Sequence, residues 1–194
     1  MSLSACPKCG APLGPSRVHG EGPWNQGWRA GLDQDQQFVN INGLVADVVA
    51  RCGTIIELQY GPMARHEIIH REQKHGNLAW LFHACDAHAK GRLRLLLTPG
   101  KQLARFKWTS PRETIDACNR DVYLDLGPSD QANGVHLVLK LGKTYPDGRT
   151  LLGNGTLVTG EDFHDWMAHG SPLRLFIPGV DDHVEQVDSA NAAA

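Results

Sequence analysis

Apolar positions along this chain fall in short runs divided by glycine, proline and polar clusters. VADVVARCGTIIELQY, residues 45–60, has two runs of strand length around Arg51, Cys52 and Gly53. A three-residue loop with glycine at its left-handed position joins such runs, so the stretch predicts a hairpin of strands 44–50 and 54–60. Gly61-Pro62 stops the second strand, and ARHEIIHREQKH over 64–75 reads as a helix ended by Gly76-Asn77. LAWLFHA, 78–84, is a near-continuous apolar run of the kind buried on both faces of a sheet, so strand, helix and strand predict a parallel crossover.

Further strands are predicted at 93–97, 103–108, 121–126 and 135–141. Ser110-Pro111-Arg112-Glu113 has the form of a capping box that opens a short helix, and EDFHDWMA predicts another over 161–168. Pro23 to about Leu32 reads as a short helix with Trp24 and Trp28 on one face. The expected fold class is α/β, a mixed sheet flanked by helices. Residues 1–20 form a cysteine-containing lead-in, 21–170 the main domain, and 171–194 an extension whose end, DSANAAA, has nothing to bury.

Composition narrows the function. Of 194 residues 41% are hydrophobic and 21% charged, which is ordinary for a globular domain, and no run of about 18 apolar residues predicts a membrane span or a membrane partner. MSLSACPKCG lacks the apolar core of a signal peptide, so a cytoplasmic location is expected. The five cysteines are an odd number without framework spacing, which points to a reduced compartment. A net charge of −2 does not advertise nucleic acid, so such a partner has to be met by a local patch. KGRLRLLLTPGKQLARFKW, from Lys90 to Trp108, is acid-free and supplies one, with Lys90, Arg92 and Arg94 at its start.

The hairpin holds the chemistry. If Ala50 pairs with Thr54, then Asp47 lies opposite Glu57 and Val45 opposite Gln59. Asp47, Val49, Ile55, Glu57 and Gln59 then share one face, with Ala46, Val48, Ile56 and Leu58 on the other. Like charges opposed across strands, with Cβ atoms roughly 4.5 to 5.5 Å apart, are destabilising. A divalent cation, a shared proton or a nearby arginine would offset the repulsion, and hard cations such as Mg²⁺ take carboxylates of this kind.

Asp47 followed ten residues later by Glu57-Leu58-Gln59, then a helix and an apolar strand, resembles the PD-(D/E)XK nuclease core, with Gln in the place usually held by Lys. IIELQYGPMARHEIIHREQKHGNLAWLFHA is similar to the competence protein CoiA-like family, whose helix carries Arg-Glu, here Arg71-Glu72, and whose next strand carries a Trp, here Trp80. EGPWNQGWR resembles the family's first helix and brings in Glu21, Trp24 and Trp28, with Asn25 and Arg29 departing from its usual His and Lys. The resemblance implies a restriction-endonuclease-like core that hydrolyses DNA with Mg²⁺ or Mn²⁺. It implies Asp47 and Glu57 as metal ligands, Glu21 as a third acid, the Leu58 carbonyl as a further ligand and Gln59 as an amide that positions water or phosphate. Arg71 then supports Glu72 or meets the nucleic-acid backbone. A rival of another class is a binding module that keeps the fold without cleavage.

Two other patterns invite metals. Cys6-Pro-Lys-Cys9 is half a zinc knuckle, with Cys6 and Cys9 as candidate ligands of a structural Zn²⁺ and His19, His83, Cys85 or His88 as candidate partners. His66-Glu67-Ile68-Ile69-His70 is a literal HExxH match, the pattern of zinc peptidases, weighed against a nuclease-like resemblance that spans the same segment with many more positions.

Overall fold

The structure is a computed structural model and describes residues 22–181. Cys6, Cys9, His19 and Glu21 therefore lie outside the described residues. Helix α1, Pro23–Arg29, starts with Pro in its first turn, where a missing N–H costs nothing. It stops short of Leu32 because Ala30 turns extended and Gly31 takes a φ of +83°.

Strands β1, Gln37–Ile41, and β2, Leu44–Val49, are joined through Asn42 and Gly43, both at positive φ as a tight hairpin turn requires. β3, Ile55–Gln59, follows across the 51–53 loop in the predicted register: Ala50 N donates to Thr54 O at 2.9 Å, and Val48 pairs with Ile56. Helix α2, Arg65–His75, then crosses over to β4, Leu78–His83, which runs parallel to β3. The short helix α3, Cys85–Ala89, precedes β5, Leu93–Leu96, and β6, Leu103–Thr109. β7, Asp121–Pro128, β8, His136–Asp147, β9, Thr150–Thr159, and helix α4, Gly160–His169, complete the order.

Among the described residues nine strands form one mixed sheet in the order β1-β2-β3-β4-β7-β8-β9-β6-β5. β3, β4 and β7 are parallel and the other pairings antiparallel. One face buries Trp80, Phe82, Leu124, Phe106 and Trp108 with Ile68 of α2 against them. The sheet curls enough to bring Arg92 and Trp108 beside Tyr60 and His83. The other face is covered by Trp28 of α1 and by Phe163 and Met167 of α4, which pack on Val48, Ile56, Leu81 and Val138. No helix of the described residues is long and apolar enough to cross a membrane.

Other features depart from expectation, and β1 and α3 had no forecast. Ser110 does not cap a helix: it takes a φ of 51°, its N–H goes to Arg149 O, and only a 3-10 turn forms at Glu113–Ala117. The reason is Arg112, whose guanidinium binds the carbonyls of Tyr60, Gly61 and His83 and holds that segment extended. Ala46 packs with the cluster of Ile55 rather than that of Val48. β9 had no forecast, because TLLGNGTLVT is broken by glycines that read as a loop. A Cβ on Gly153 would meet the Phe106 ring and one on Gly155 the Lys140 carbonyl, so close strand approach requires both.

Candidate active site

β2 and β3 pair at Val49↔Ile55 and Val48↔Ile56 and then part, leaving a fork. In a strand the N–H and C=O of one residue point the same way, and those of Leu58 point into this fork. With no main-chain partner across the gap, Leu58 N donates to Asp47 Oδ2 at 2.9 Å, while Leu58 O accepts from Asn25 Nδ2 of α1 at 3.1 Å. Asp47 and Glu57 both line the cavity at this fork, near enough for the charge of Asp47 to act on Glu57. The fork opens into a cavity of about 550 Å³ between α1 and α2, whose walls include Asn25, Arg29, Gln59, His70 and Arg71.

Burial drives the electrostatics. It raises the affinity of both acids for a proton, and for Glu57, only 3% exposed, the charge of Asp47 adds to it and pushes the pKa up to about 8. Arg71 works against the rise, Nη1 donating to Glu57 Oε1 at 2.7 Å and to Val45 O at 3.3 Å. At neutral pH the pair therefore holds a proton as well as an arginine, two of the three remedies for opposed acids. His75 is buried beside them, its Nε2 2.9 Å from Glu57 Oε1 but without hydrogen-bond alignment, and its Nδ1 has no partner. Burial and then Arg71 hold its pKa down, so it stays neutral and offers no further charge.

The donor set of the fork is all hard oxygen: two carboxyls still short of positive charge and the Leu58 carbonyl, whose second lone pair remains beyond its bond to Asn25. Mg²⁺ and Mn²⁺ take such donors. Gln59 shares the face of Glu57 but folds back, Nε2 donating to Gly61 O at 2.6 Å. Asn25 Oδ1 is buried without a hydrogen-bond partner, an acceptor aimed at nothing among the described residues.

No family model matches the chain, and the curated proteins and the solved structures likewise give no match.

The remaining sequence candidates are scattered. Glu72 does not pair with Arg71. It is buried and accepts from Trp80 Nε1 at 3.0 Å and from the backbone N–H groups of Asn119 and Arg120, which pins the approach to β7 onto α2. Lys90 follows α3 at 4.0 Å from Asp86, and Arg94 is exposed on β5 with its Nε on Gly91 O, so neither borders the fork. Arg92 lines a second cavity with Tyr60, His83 and Arg112. His66, Glu67 and His70 line the first cavity, but Glu67 Oε2 accepts from Ala64 N at the start of α2. No set of three or more His, Cys, Asp or Glu side chains among the described residues has the arrangement of a metal site. Cys85 bonds the Asp125 carbonyl, and burial followed by the charge of Asp125 pushes its thiol up to about 12, while His88 is engaged with Leu93 O and Ser129.

Two residues that organise the site were missed. Asp125 of β7 is 1% exposed and accepts from Trp24 Nε1 at 2.6 Å, Trp28 Nε1 at 2.9 Å, Gly127 N and His136. Burial alone would raise its pKa, but His136 and the two indoles outweigh burial and hold it at about 2. The available signal was the one used for Asp47, an acid inside an apolar strand. Arg112 offered no comparable signal, since its three acceptors are main-chain carbonyls distant in sequence.

Proposed function

We propose that this chain is a divalent-metal-dependent nuclease that hydrolyses phosphodiester bonds of DNA, and that it belongs with the competence protein CoiA-like proteins of the PD-(D/E)XK superfamily. The carrying observation is the fork itself, where two buried neighbouring carboxyls remain proton-hungry in an open cavity. The order of antiparallel β1, β2 and β3, crossover helix α2 and parallel β4 supports a restriction-endonuclease-like core.

On this reading Asp47, Glu57 and the Leu58 carbonyl hold Mg²⁺ or Mn²⁺, with Glu21 as the further acid implied by the resemblance. The ion, when bound, stabilises charge on the phosphate and lowers the pKa of an attacking water. The chain's own residues do the rest. The Leu58 N–H fixes Asp47, Asn25 ties α1 to the floor of the fork, and Arg29 and Arg71 supply positive charge on the walls where a phosphate arrives. Gln59 orients water or phosphate through its amide and carries no charge, so it contributes less than a lysine would. A structural Zn²⁺ at Cys6 and Cys9 belongs to the same proposal.

The test is plasmid nicking with and without Mg²⁺ or Mn²⁺, with Asp47→Asn as the comparison. Metal-dependent cuts lost in the variant support the nuclease. A second reading, a nucleic-acid-binding module without cleavage, draws on Gln59 folding onto Gly61 and Arg71 occupying Glu57. DNA binding with no metal-dependent cuts would favour it.

A further inference from the structure

Trp24, Tyr60 and His83 gather where β3 and β4 end, at the carboxyl edge of the parallel strands where α/β sheets receive ligands. Their ring centroids are 4.7 Å apart for Tyr60 and His83, 5.4 Å for Trp24 and His83, and 6.1 Å for Trp24 and Tyr60. Tyr60 is 50% exposed, although a ring this size ordinarily seeks burial. It borders both the acidic fork and the second cavity, of about 230 Å³, that holds Arg92.

The rings are held from behind. Arg112 donates to Tyr60 O at 2.6 Å, His83 O at 2.7 Å and Gly61 O at 2.9 Å, so one guanidinium clamps the backbone under two of them. Trp24 is moored through its indole N–H on Asp125. A cluster made only for packing would not need such fixing while leaving a ring half in water. Arginines stand on both flanks, Arg29 and Arg71 beside the acids Asp47, Glu57 and Glu67 on the side of the fork and Arg92 and Arg112 on the other. Asp86 is the acid bordering the second cavity, and Lys90 stands 4.0 Å from it. Arg92 is exposed and forms no ion pair among the described residues.

We propose that Trp24, Tyr60 and His83 form a stacking platform for an unpaired base, so that the substrate of the fork is single-stranded DNA laid from Arg71 across the rings to Arg92. The inference rests on the reading of this chain as acting on nucleic acid. A base offers its π-face to such rings only when it has left the duplex stack, whereas phosphates on either side reach arginines in any form of DNA.

Fluorescence anisotropy of the full chain in chelator, which prevents cleavage, tests this with labelled oligothymidylate and a blunt duplex of equal length. The expected result is at least about tenfold tighter binding of the single strand, since one stacked base is worth about tenfold to a hundredfold in affinity. Tyr60→Ala should lose most of that preference and leave duplex binding unchanged, while Tyr60→Phe, which keeps the ring, should retain it. Equal affinity for the two probes, or a Tyr60→Ala variant that binds oligothymidylate like the parent, overturns the platform. The assay is blind to catalysis: a single-strand preference in a protein that never cuts supports the platform and removes the nuclease. Metal-dependent cutting without the preference removes the platform alone.

Discussion

Arg71 Nη1 stands 2.7 Å from Glu57 Oε1, so the helix after the hairpin brings the acid pair a positive charge that its own strands lack. That contact competes with a metal for the same oxygen. If the proposed nuclease reading holds, Arg71→Ala should therefore shift the Mn²⁺ concentration needed for half-maximal thermal stabilisation several-fold lower, while DNA cleavage falls with the loss of positive charge on the cavity wall. A metal midpoint that moves upward would show that Arg71 assists the ion instead.

Asp47→Asn keeps an oxygen for the Leu58 N–H but removes the proposed metal ligand and the like charge beside Glu57. Since altering even the partners that orient metal ligands costs about 10- to 100-fold, cleavage should drop by at least about 100-fold. Thermal stability without divalent ions should hold or rise at pH 8, and the stabilisation by Mn²⁺ should vanish. A Tm gain from Mn²⁺ equal to that of the parent would contradict the assignment.

The pH response has a definite sign. Between the ordinary 4.5 and about 8 the folded chain keeps a proton on Glu57 that the unfolded chain has shed. Stability is then full below the lower value and falls as pH rises to about 8, by no more than about 1.4 kcal/mol per pH unit. Urea denaturation across pH 5 to 9 should show this decline in chelator and a shallower one with Mg²⁺. Glu57→Gln should flatten it.

Asp125 behaves in the opposite sense. Held at about 2 against an ordinary 3.8, it contributes stability that is complete above the higher value and disappears as pH falls between them. Asp125→Asn turns an amide N–H toward donors and should cost roughly 2 to 4 kcal/mol in urea denaturation at pH 7. A loss under about 0.5 kcal/mol would mean that the indoles and His136 find other acceptors.

Gly155→Ala sets a methyl group against the Lys140 carbonyl and a Leu139 methyl group between β8 and β9. Backbone cannot yield there as a flexible side chain would, so a loss of about 3 kcal/mol or more, or no soluble protein, is expected. Gly27→Ala, inside α1, where a Cβ meets nothing within 4 Å and Ala is the better helix former, serves as the tolerated control in the same Tm measurement.

How much of this was legible depends on which forces wrote each element. The hairpin register next to the loop could be read because Gly53 fixes the turn, but the ladder stops after Val48↔Ile56, so the expected pairing of Val45 with Gln59 does not form. The parallel crossover could be read because LAWLFHA is apolar except for His83. β9 was hidden since its glycines answer to a neighbouring strand and ring, contacts that no local window contains. Ser110 misled for a related reason: a favourable capping pattern was overridden by Arg112 reaching carbonyls about fifty residues upstream, as at Tyr60. At the site, the facing acids were foreseeable, whereas the arginine and the neutral histidine against Glu57 depend on how α2 rotates onto the sheet.

α1 has only seven residues, too few to persist as an isolated helix, and both of its indole N–H groups end on a single oxygen of Asp125. The wall of the cleft thus hangs from a hook two strands away from β3, on the face of the sheet that α1 covers. Variants that weaken the hook would leave the acids intact yet let their roof swing, so losses of function should map to Asp125 and His136 without any contact with the reacting atoms.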